Sequence, residues 1–465
     1  MRLDQAVNAL NARGLQAELV RTFLLGGESR FDGAFAGLVI DSRERQPGVL
    51  FVALRGERFD GHAFAADAVA NGAVALLVER ELDIDVPQIR VDDTRLAMGA
   101  LSAEWRDSLD LTVVGITGSN GKTTNKEMVA AILAQVGPTL ATKGNLNNDI
   151  GVPLTLARLS DGLRFAVIEM GANHHGEIAY LAGLARPDVA LLANAGAAHL
   201  EGFGSLEGVA EAKGEIFDGL TEHDTAIVNA DDRFADNWLA RIGSRPVRTF
   251  ALDSSADFTA TWQPTANGSR IAMQTPQGEV DIALPLPGRH NVMNALGASA
   301  AAMAAGAGLA EIKAGLEGIS AVGGRLVSKA GIAGSRVIDD TYNANPTSFR
   351  AAIAVLAQQS PDAWLVMGDM GELGGTGPQL HAEVGAWAAE QGIARLYAIG
   401  PLSRGAVQAF GAGGRHFESV ESLIAALTND LGAGRLVLVK GSRAMRMERV
   451  VAALTAPLVT ESGEA

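Results

Sequence analysis

One stretch constrains the fold more than any other. Residues 117–124 read Thr-Gly-Ser-Asn-Gly-Lys-Thr-Thr and lie between an apolar run, 111–116, and a helix-patterned segment, 126–133. The apolar run predicts a buried strand. A glycine-rich turn between a strand and a helix presents unpaired N–H groups at the positive end of the helix, where nucleotide phosphates bind. The stretch therefore predicts an α/β unit with a parallel sheet and a phosphate loop.

The phosphate loop departs from the usual pattern at one position. Ile116 occupies the place of the first glycine, and Gly115 stands one residue earlier. An ordinary structural turn is the alternative interpretation. In the nucleotide-binding interpretation, Lys122 reaches the β/γ-phosphates and Thr123 reaches Mg²⁺. The predicted nucleotide contacts of the loop are Gly118, Ser119, Asn120, Gly121, Lys122, Thr123 and Thr124.

Composition limits the functional classes. A chain of 465 residues predicts two to four domains, and 48% hydrophobic residues supply their cores. The absence of cysteine excludes disulfides and thiol catalysis, and it is compatible with a reducing cytoplasm, where we expect the protein. A net charge of −15 argues against nucleic acid as a partner. We find no signal peptide and no convincing membrane span in the sequence.

The order of strand and helix patterns predicts three α/β domains. They are a small N-terminal domain, 1–85, a central phosphate-loop domain with a parallel sheet, 86–318, and a C-terminal Rossmann-like domain, 319–465. Within the central domain, 250–286 predicts an antiparallel meander with a turn at 266–268, and an alanine-rich helix is expected over 292–310. The end of the chain, from 456, is predicted to be frayed.

Two polar residues follow buried strands of the central domain. Glu169 ends the apolar run 165–168, and His199 follows the run 189–194. Because carboxyl ends of parallel strands meet at one edge of the sheet, an acid there is placed to hold the metal of a nucleotide site. A helix cap or solvent-facing acid remains the alternative for Glu169, and a structural role remains the alternative for His199.

Three further positions are ambiguous from the residues alone. Lys213 lies in a polar helix pattern that also suits a solvated lysine. Asn291 and Asn294 are three apart, on one helical face, and suit an adenine edge, although helix capping explains Asn291 equally well. The polar cluster 339–346 closes a strand and reads either as a turn or as part of a site.

Together these segments resemble the Mur ligases, ATP-dependent amide-forming enzymes of peptidoglycan precursor assembly, over essentially the whole chain. The ordered set comprises the loop 117–124, the stretch 144–153, Glu169, 198–201, Lys213, 290–294, 324–325 and Asp340. The stretches 169–174, 342–346, 368–374 and 440–443 are most similar to family members that add D-alanyl-D-alanine to a UDP-N-acetylmuramoyl-tripeptide. The Asp-Asn-Pro-Arg tetrapeptide of the diaminopimelate- or lysine-adding members is absent from the sequence.

The resemblance implies roles for individual residues. It implies a catalytic set of Lys122, Glu169, His199 and Lys213, with Thr123, Glu169 and His199 as Mg²⁺ ligands and Lys213 carbamylated. It implies that the ATP-binding site is completed by His290, Asn291, Asn294, Arg325, Asp340, Tyr342, Asn343 and Asn345. It implies that the UDP-sugar peptide substrate is bound by Asp41, Ser42, Arg43, Asp60, Gly61, His62, Asn145 and Asn147. The partners expected are these small molecules, and the enzyme is expected to be a monomer that closes to become active.

Two other classes are weighed against this interpretation. Folylpolyglutamate synthase shares the ATP chemistry and the two later domains, but it lacks an N-terminal unit such as 1–85. A GTP-dependent switch would bind nucleotide without making amides, but the chain has no Asn-Lys-x-Asp guanine motif. Residues 440 and 443, a lysine and an arginine, could meet the carboxylate of the incoming dipeptide.

Overall fold

The computed structural model describes residues 1–20, 33–265 and 268–455. The strands of these residues form four sheets: a five-stranded sheet, two six-stranded sheets and a three-stranded meander. The predicted turn at 266–268 falls partly outside the described residues, and the predicted frayed end lies outside them entirely. In the described part of the chain, no helix has both the length and the apolar character needed to cross a bilayer.

The first unit is a mixed sheet in the order β1-β5-β4-β3-β2, with β1 antiparallel to β5. Its elements are α1 Leu3–Ala12, β1 Glu18–Val20, β2 Leu38–Val39, β3 Val49–Val52, α2 Ala65–Ala70, β4 Ala73–Val78, β5 Gln88–Arg90 and α3 Thr94–Asp107. The sheet continues through β5, beyond the predicted boundary at 85, and that boundary stays a prediction. Helix α3 bridges two cores, since Ala97 and Met98 pack with the first unit and Ala103 with the central one.

The central unit is a parallel sheet in the order β11-β10-β9-β6-β8-β7. Its elements are β6 Thr112–Thr117, α4 Lys122–Leu133, β7 Thr139–Ala141, α5 Gly151–Leu156, β8 Phe165–Glu169, α6 Glu177–Ala185, β9 Val189–Leu192, α7 Leu200–Phe203, α8 Leu206–Gly214, β10 Thr225–Asn229, α9 Ala235–Ile242 and β11 Val247–Phe250. Alternate strand residues point to opposite faces. Val113 and Ile168 thus enter one core, and Val114 and Val167 enter the other.

A meander and two helices complete the central unit. They are β12 Thr259–Thr265, β13 Gly268–Thr275, β14 Gly278–Leu284, α10 Arg289–Ala304 and α11 Leu309–Glu317. The antiparallel pairing of the three strands agrees with the predicted meander. The predicted single helix over 292–310 is wrong, because α10 ends at Ala304 and Gly306 adopts a φ of 100°. A backbone in that region cannot continue a right-handed helix.

The third unit is a six-stranded sheet in the order β15-β16-β20-β17-β18-β19, in which only β15 is antiparallel. Its elements are β15 Val327–Ala330, β16 Arg336–Asp340, α12 Pro346–Gln359, β17 Trp364–Gly368, α13 Gly377–Glu390, β18 Arg395–Ile399, α14 Ser403–Phe410, β19 Gly414–Phe417, α15 Val420–Asp430, β20 Leu436–Lys440 and α16 Glu448–Thr455. This three-part α/β architecture with parallel sheets confirms the predicted fold class.

Candidate active site

A cavity of about 820 Å³ lies at the carboxyl edge of the central sheet and is closed on one side by the third unit. Strand β6 leads into the phosphate loop, and its two neighbours, β8 and β9, deliver Glu169 and the segment leading to His199. The cavity is lined by residues 119–124, Glu169 and His199 from the central unit. The third unit contributes Arg325, Asp340, Tyr342, Asn343 and Asn345 to the same lining. The topology thus brings the predicted nucleotide and metal residues together.

The phosphate loop is held in a conformation that requires glycine. Gly121 has a φ of 79°, and a Cβ there would lie 2.5 Å from Asn294 Oδ1. The Asn194 side chain, which follows β9, accepts from Asn120 N at 2.9 Å and donates to Asn120 O at 3.0 Å. Lys122 Nζ donates to Gly118 O at 2.7 Å. Burial lowers the pKa of Lys122, while the nearby Glu169 carboxylate raises it.

Glu169 is a buried carboxylate with one oxygen satisfied. Asn147 Nδ2 donates to Glu169 Oε1 at 2.8 Å, and the Glu169 side chain lines the cavity. Its other oxygen, Oε2, is buried without a hydrogen-bond partner in the described residues. With a relative exposure of only 2%, the residue is not a solvent-facing acid. A buried, unpaired carboxylate oxygen beside a phosphate loop has the chemistry of a cation ligand.

His199 immediately precedes helix α7 and has a left-handed backbone, at a φ of 54° and a ψ of 34°. Its Nδ1 atom contacts the Glu372 carboxylate, which comes from the third unit. Burial lowers the pKa of His199, and Glu372 raises it. The ring also packs edge-on against Phe203, with 6.5 Å between centroids.

Lys213 is buried on helix α8, so the solvated interpretation of this lysine is wrong. Its exposure is 1%, its Nζ donates to Ala172 O at 3.3 Å, and it lies 5.3 Å from the centroid of the Phe203 ring. Burial, assisted by the positive charge of Lys122, lowers the pKa of Lys213 to about 7. A substantial fraction of the amine is therefore neutral and nucleophilic at neutral pH. Lys213 lies behind the cavity wall rather than in its lining.

Helix α10 places three of the predicted ATP-binding residues at the cavity. His290, Asn291 and Asn294 all line it. Burial lowers the pKa of His290 to about 4, so the ring is neutral. Asn291 is not the helix cap, because Gly288 occupies that position and the Asn291 amide donates to Pro287 O at 2.8 Å. Asn294 Oδ1 accepts from Asn125 Nδ2 at 2.9 Å, which fixes it beneath the phosphate loop.

Two hydrogen bonds join the third unit to the phosphate loop. Arg325 Nη2 donates to Thr123 Oγ1 at 2.8 Å, and Asn345 Nδ2 donates to Asn120 Oδ1 at 2.7 Å. The Arg325 guanidinium also stacks on Tyr342, 4.2 Å from the ring centroid. The described structure is therefore a closed arrangement of these two units.

A buried ion pair underlies the third unit's side of the cavity. Lys440 Nζ donates to Asp340 Oδ2 at 2.7 Å and to Asn343 O at 2.9 Å. This ammonium group is thus engaged within the third unit and also lines the cavity, and its contact with a dipeptide carboxylate stays a prediction. The Lys440 contact with Asp340 was not part of the predicted site, and its signal in the sequence is the position of both residues at the ends of strands.

The residues assigned to the UDP-sugar peptide do not all reach the cavity. Asn147 lines it, whereas Asn145 is exposed outside the lining. None of the six assigned residues of the first unit, Asp41, Ser42, Arg43, Asp60, Gly61 and His62, belongs to the lining.

These six residues form two local clusters in the first unit. Arg43 Nη2 pairs with Asp41 Oδ2 at 2.6 Å. His62 Nδ1 contacts Asp60 Oδ1 at 2.6 Å, and His62 Nε2 accepts from Glu79 N at 2.9 Å. Both ring nitrogens of His62 are thus used inside the unit.

Comparison with known proteins identifies the family. The family model described as the Mur ligase middle domain matches residues 116–302, and the one described as the Mur ligase glutamate ligase domain matches 324–443. A third, described as the Mur ligase family catalytic domain, matches 34–136. The UDP-N-acetylmuramoyl-tripeptide–D-alanyl-D-alanine ligase of Escherichia coli K12 is 51% identical over 93% of this chain and 97% of its own length. The chain belongs to the Mur ligase family.

Other members of the Mur ligase family resemble the whole chain. The ligase of the same name from Bacillus subtilis 168 is 36% identical over 89% of this chain and 92% of its own length. A crystal structure of MurF from Acinetobacter baumannii superposes with a TM-score of 0.88 at 38% identity, covering 97% of this chain and 98% of that one. MurF from Thermotoga maritima, in complex with ADP, gives a TM-score of 0.79 at 29% identity, covering 90% and 96%.

The site of this Mur ligase suits a cation that is shared with nucleotide phosphates. The described residues contain no group of three His, Asp or Glu side chains able to hold a metal by themselves. Mg²⁺ commonly takes only one or two protein ligands and completes its shell with phosphates and water. The unpaired Glu169 Oε2 fits that requirement, and the Thr123 hydroxyl oxygen, which accepts from Arg325 Nη2 in this arrangement, keeps a second lone pair for a cation.

Proposed function

We propose that this Mur ligase joins D-alanyl-D-alanine to the terminal carboxylate of a UDP-N-acetylmuramoyl-tripeptide, with ATP converted to ADP and phosphate. One observation carries the proposal. The phosphate loop, Glu169 and His199 surround one cavity that the third unit closes through Arg325. The names of relatives that match nearly the full length of the chain specify the substrates.

The chemistry explains why the enzyme would need a nucleotide. A carboxylate is a poor acyl donor, because its negative charge is delocalised and oxide is a poor leaving group. In the proposed reaction, a carboxylate oxygen attacks the γ-phosphorus, ADP leaves and an acyl phosphate forms. The dipeptide amine then attacks the acyl carbon and loses a proton, and phosphate leaves with the former carboxylate oxygen.

The residues of this chain would act mainly by position and charge. The N–H groups of the loop and the Lys122 ammonium would bind the phosphates, and Arg325 already reaches Thr123 of the loop from the third unit. Donors fixed before the reaction stabilise the developing charge without reorganising. When bound, Mg²⁺ supplies Lewis-acid neutralisation of the phosphate charge, and we assign it to Thr123, Glu169 and His199.

We also propose that Lys213 is carbamylated. Its amine is buried beside Phe203, and its pKa of about 7 leaves neutral amine available to attack carbon dioxide. The amine nitrogen bonds to the carbon of carbon dioxide and loses a proton to solvent, and the anionic carbamate would neutralise nearby positive charge such as that of Lys122. An uncharged amine reacts, whereas an ammonium group has no lone pair to form the bond.

Nucleotide recognition is proposed for both walls of the cavity. His290, Asn291 and Asn294 would meet the adenine from α10, and Asp340, Tyr342, Asn343 and Asn345 would complete the site from the third unit. The neutral state of His290 suits contact with an uncharged base.

The UDP-sugar end is assigned to the first unit. Residues 41–43 lie in the loop after β2, 60–62 form the start of a short 3-10 helix after β3, and Arg43 exposes 87% of its side chain. His62 is engaged inside the unit, so we assign it the role of shaping the loop. Asn145 and Asn147 would contact the peptide end. We propose that the enzyme acts as a monomer in the cytoplasm, and the absence of cysteine is compatible with that compartment.

Phosphate release from the purified full chain tests the function. With UDP-N-acetylmuramoyl-tripeptide, ATP and Mg²⁺, we expect release to depend on D-alanyl-D-alanine and not on D-alanine, L-lysine or glutamate. Omission of the tripeptide is the control for nucleotide hydrolysis alone. Equal release without the dipeptide would contradict amide formation.

The folylpolyglutamate synthase alternative is separated by the same assay. A structure of that enzyme from Mycobacterium tuberculosis shares the fold at 18% identity and a TM-score of 0.63, over 78% of this chain. Release that requires glutamate and a folate acceptor would favour that activity. Mass determination of the product distinguishes the two outcomes directly.

A further inference from the structure

We propose that Glu372, on the loop 368–374 of the third unit, is a positioning residue that orients the His199 imidazole toward the cavity. The inference rests on the proposed function for its catalytic consequence and on the contact between the two side chains for its geometry. It gives a role to the 368–374 stretch, which the nucleotide and peptide assignments leave without one.

The contact is built by unusual backbone on both sides. Glu372 has a φ of 60° and His199 has a φ of 54°, and both are left-handed values that residues with a Cβ seldom adopt. The backbone adds a second link, because Glu201 N donates to Glu372 O at 3.4 Å. Strained backbone persists where surrounding structure holds it, and it commonly marks functional sites. Here the strain places one carboxylate against one imidazole across the closure between two units.

The two ring nitrogens of His199 have different environments. Nδ1 is buried and has no hydrogen bond of ordinary geometry in the described residues, and the Glu372 carboxylate lies in contact with it at ion-pair distance. For Nε2 the described residues provide no hydrogen-bond partner, and the His199 side chain lines the cavity. A carboxylate beside Nδ1 favours the tautomer with the proton on Nδ1, which leaves the Nε2 lone pair free. Histidines that bind metals commonly have such a carboxylate partner, which fixes both the tautomer and the ring orientation.

An ordinary surface ion pair does not account for these features. The Glu372 side chain is 58% exposed, so its attraction to a distant charge would be weak. The imidazole atom that it contacts is buried, however, and has no hydrogen bond in the described residues, so the neighbouring Glu372 carboxylate is the group placed to accept its proton. The exposed Glu372 carboxylate therefore acts by orienting the buried His199 imidazole. Since Glu372 belongs to the third unit, His199 is oriented only when that unit is closed on the central one.

The first experiment reads the histidine directly, without turnover. The full chain is labelled with ¹⁵N-histidine, and long-range ¹H–¹⁵N spectra are recorded with ADP and without Mg²⁺. His199→Gln assigns the signal. We expect the wild-type His199 ring to carry its proton on Nδ1 and Glu372→Ala to shift it toward the Nε2–H tautomer. A wild-type ring already protonated on Nε2, or no change in Glu372→Ala, would overturn the inference.

The second experiment compares variants in the phosphate-release assay. Loss of the carboxylate partner of a metal-binding histidine should raise the apparent Mg²⁺ requirement by about 10- to 100-fold. We expect this for Glu372→Ala, with the KM for ATP little changed, while Glu372→Gln retains an oxygen for Nδ1–H and is partly rescued. Glu390→Ala, an exposed acid at the end of α13, is the matched control.

The outcomes separate this inference from the proposed function. If the wild type releases phosphate with the dipeptide and Glu372→Ala has an unchanged Mg²⁺ requirement, the inference fails and the function stands. If the wild type releases no phosphate with these substrates, the function fails, while the tautomer measurement still tests the contact.

Discussion

At the scale of single residues, burial decides which chemistry Lys213 can perform. The same ammonium on a helix surface would stay protonated, with a pKa near its ordinary 10.5, whereas packing beside Phe203 lowers the pKa of Lys213 to about 7. The sequence around it, Glu211 to Glu215, is polar and indicates only a helix. Its burial results from the packing of α8 against the loop at Ala172, which residue spacing does not encode.

Removal of the Lys213 amine should cripple turnover. Lys213→Ala can form no carbamate, and we expect phosphate release to fall by at least about 100-fold, the scale of a lost electrostatic contact in a reaction. A small carboxylic acid such as acetate should partly restore it by occupying the vacated space. Lys213→Arg is the control, because it keeps the positive charge and cannot be carbamylated. Undiminished activity in Lys213→Ala would remove the residue from the mechanism.

The same lysine should cost the folded state stability in a pH-dependent way. Between pH 7 and 10.5 the unfolded amine binds a proton that the folded amine does not, so stability rises with pH there. Below pH 7 both states are protonated and the folded state carries the full cost, on the order of 5 kcal/mol. Lys213→Met should therefore be more stable than the wild type at pH 6.5 and lose this advantage toward pH 10.

Urea unfolding midpoints in bicarbonate-free buffer, across that pH range, measure the Lys213→Met effect. Lys313→Met, which removes an exposed lysine on α11, provides the comparison. A difference between Lys213→Met and the wild type that stays constant with pH would contradict the assignment of a lowered pKa.

At the scale of secondary-structure elements, the phosphate loop depends on the space around one glycine. In Gly121→Ala the new Cβ would lie 2.5 Å from Asn294 Oδ1. The alanine would also have to adopt a φ of 79°, which residues with a Cβ seldom do. We expect this variant to lose stability by about 1 to 3 kcal/mol and to bind ATP poorly. Gly14→Ala is a matched control, because its φ is also 79° and its Cβ would have no neighbour within 4 Å.

Thermal unfolding and ADP titration calorimetry of both glycine variants check this prediction. Gly14→Ala isolates the cost of the backbone conformation alone. Equal losses of stability and of nucleotide affinity in the two variants would show that the contact with Asn294 is unimportant.

Elements also show how far sequence reasoning reached. Long apolar runs predicted β6, β8 and β9, because strands buried on both faces must be apolar throughout. The edge strands β1, β7, β15 and β19 were missed, since each is short and half-exposed and is defined by its pairing partner. The carboxyl-edge argument correctly grouped Glu169 with the phosphate loop. Glu372 was missed, because its contact with His199 joins residues far apart in sequence.

At the scale of the whole molecule, closure rests on few polar contacts between the third and central units. Asn345 serves two purposes, since its Oδ1 caps α12 by accepting from Ser348 N and its Nδ2 donates to Asn120 Oδ1 at 2.7 Å. Asn345→Ser keeps a hydroxyl for the cap and removes the contact with Asn120. We expect the free energy of unfolding of Asn345→Ser to differ from that of the wild type by less than about 0.5 kcal/mol. Affinity for ATP should weaken about fivefold, which corresponds to one hydrogen bond.

Small-angle X-ray scattering with ADP should report a larger radius of gyration for Asn345→Ser than for the wild type. Ser348→Ala, which leaves the Asn345 side chain in place, is the companion variant. A radius of gyration and an ATP affinity equal to those of the wild type would show that this contact does not hold the units together.

Helix α3 has a consequence for how the molecule can be divided. Its early turns, with Ala97 and Met98, complete the core of the first unit, and Ala103 enters that of the central unit. Helix α3 therefore contributes to two hydrophobic cores. A division of the chain before or after this helix would expose apolar surface in one of the two units. A chimera that takes its amino-terminal portion from a related enzyme should therefore include helix α3 and the surfaces of both units that pack against it.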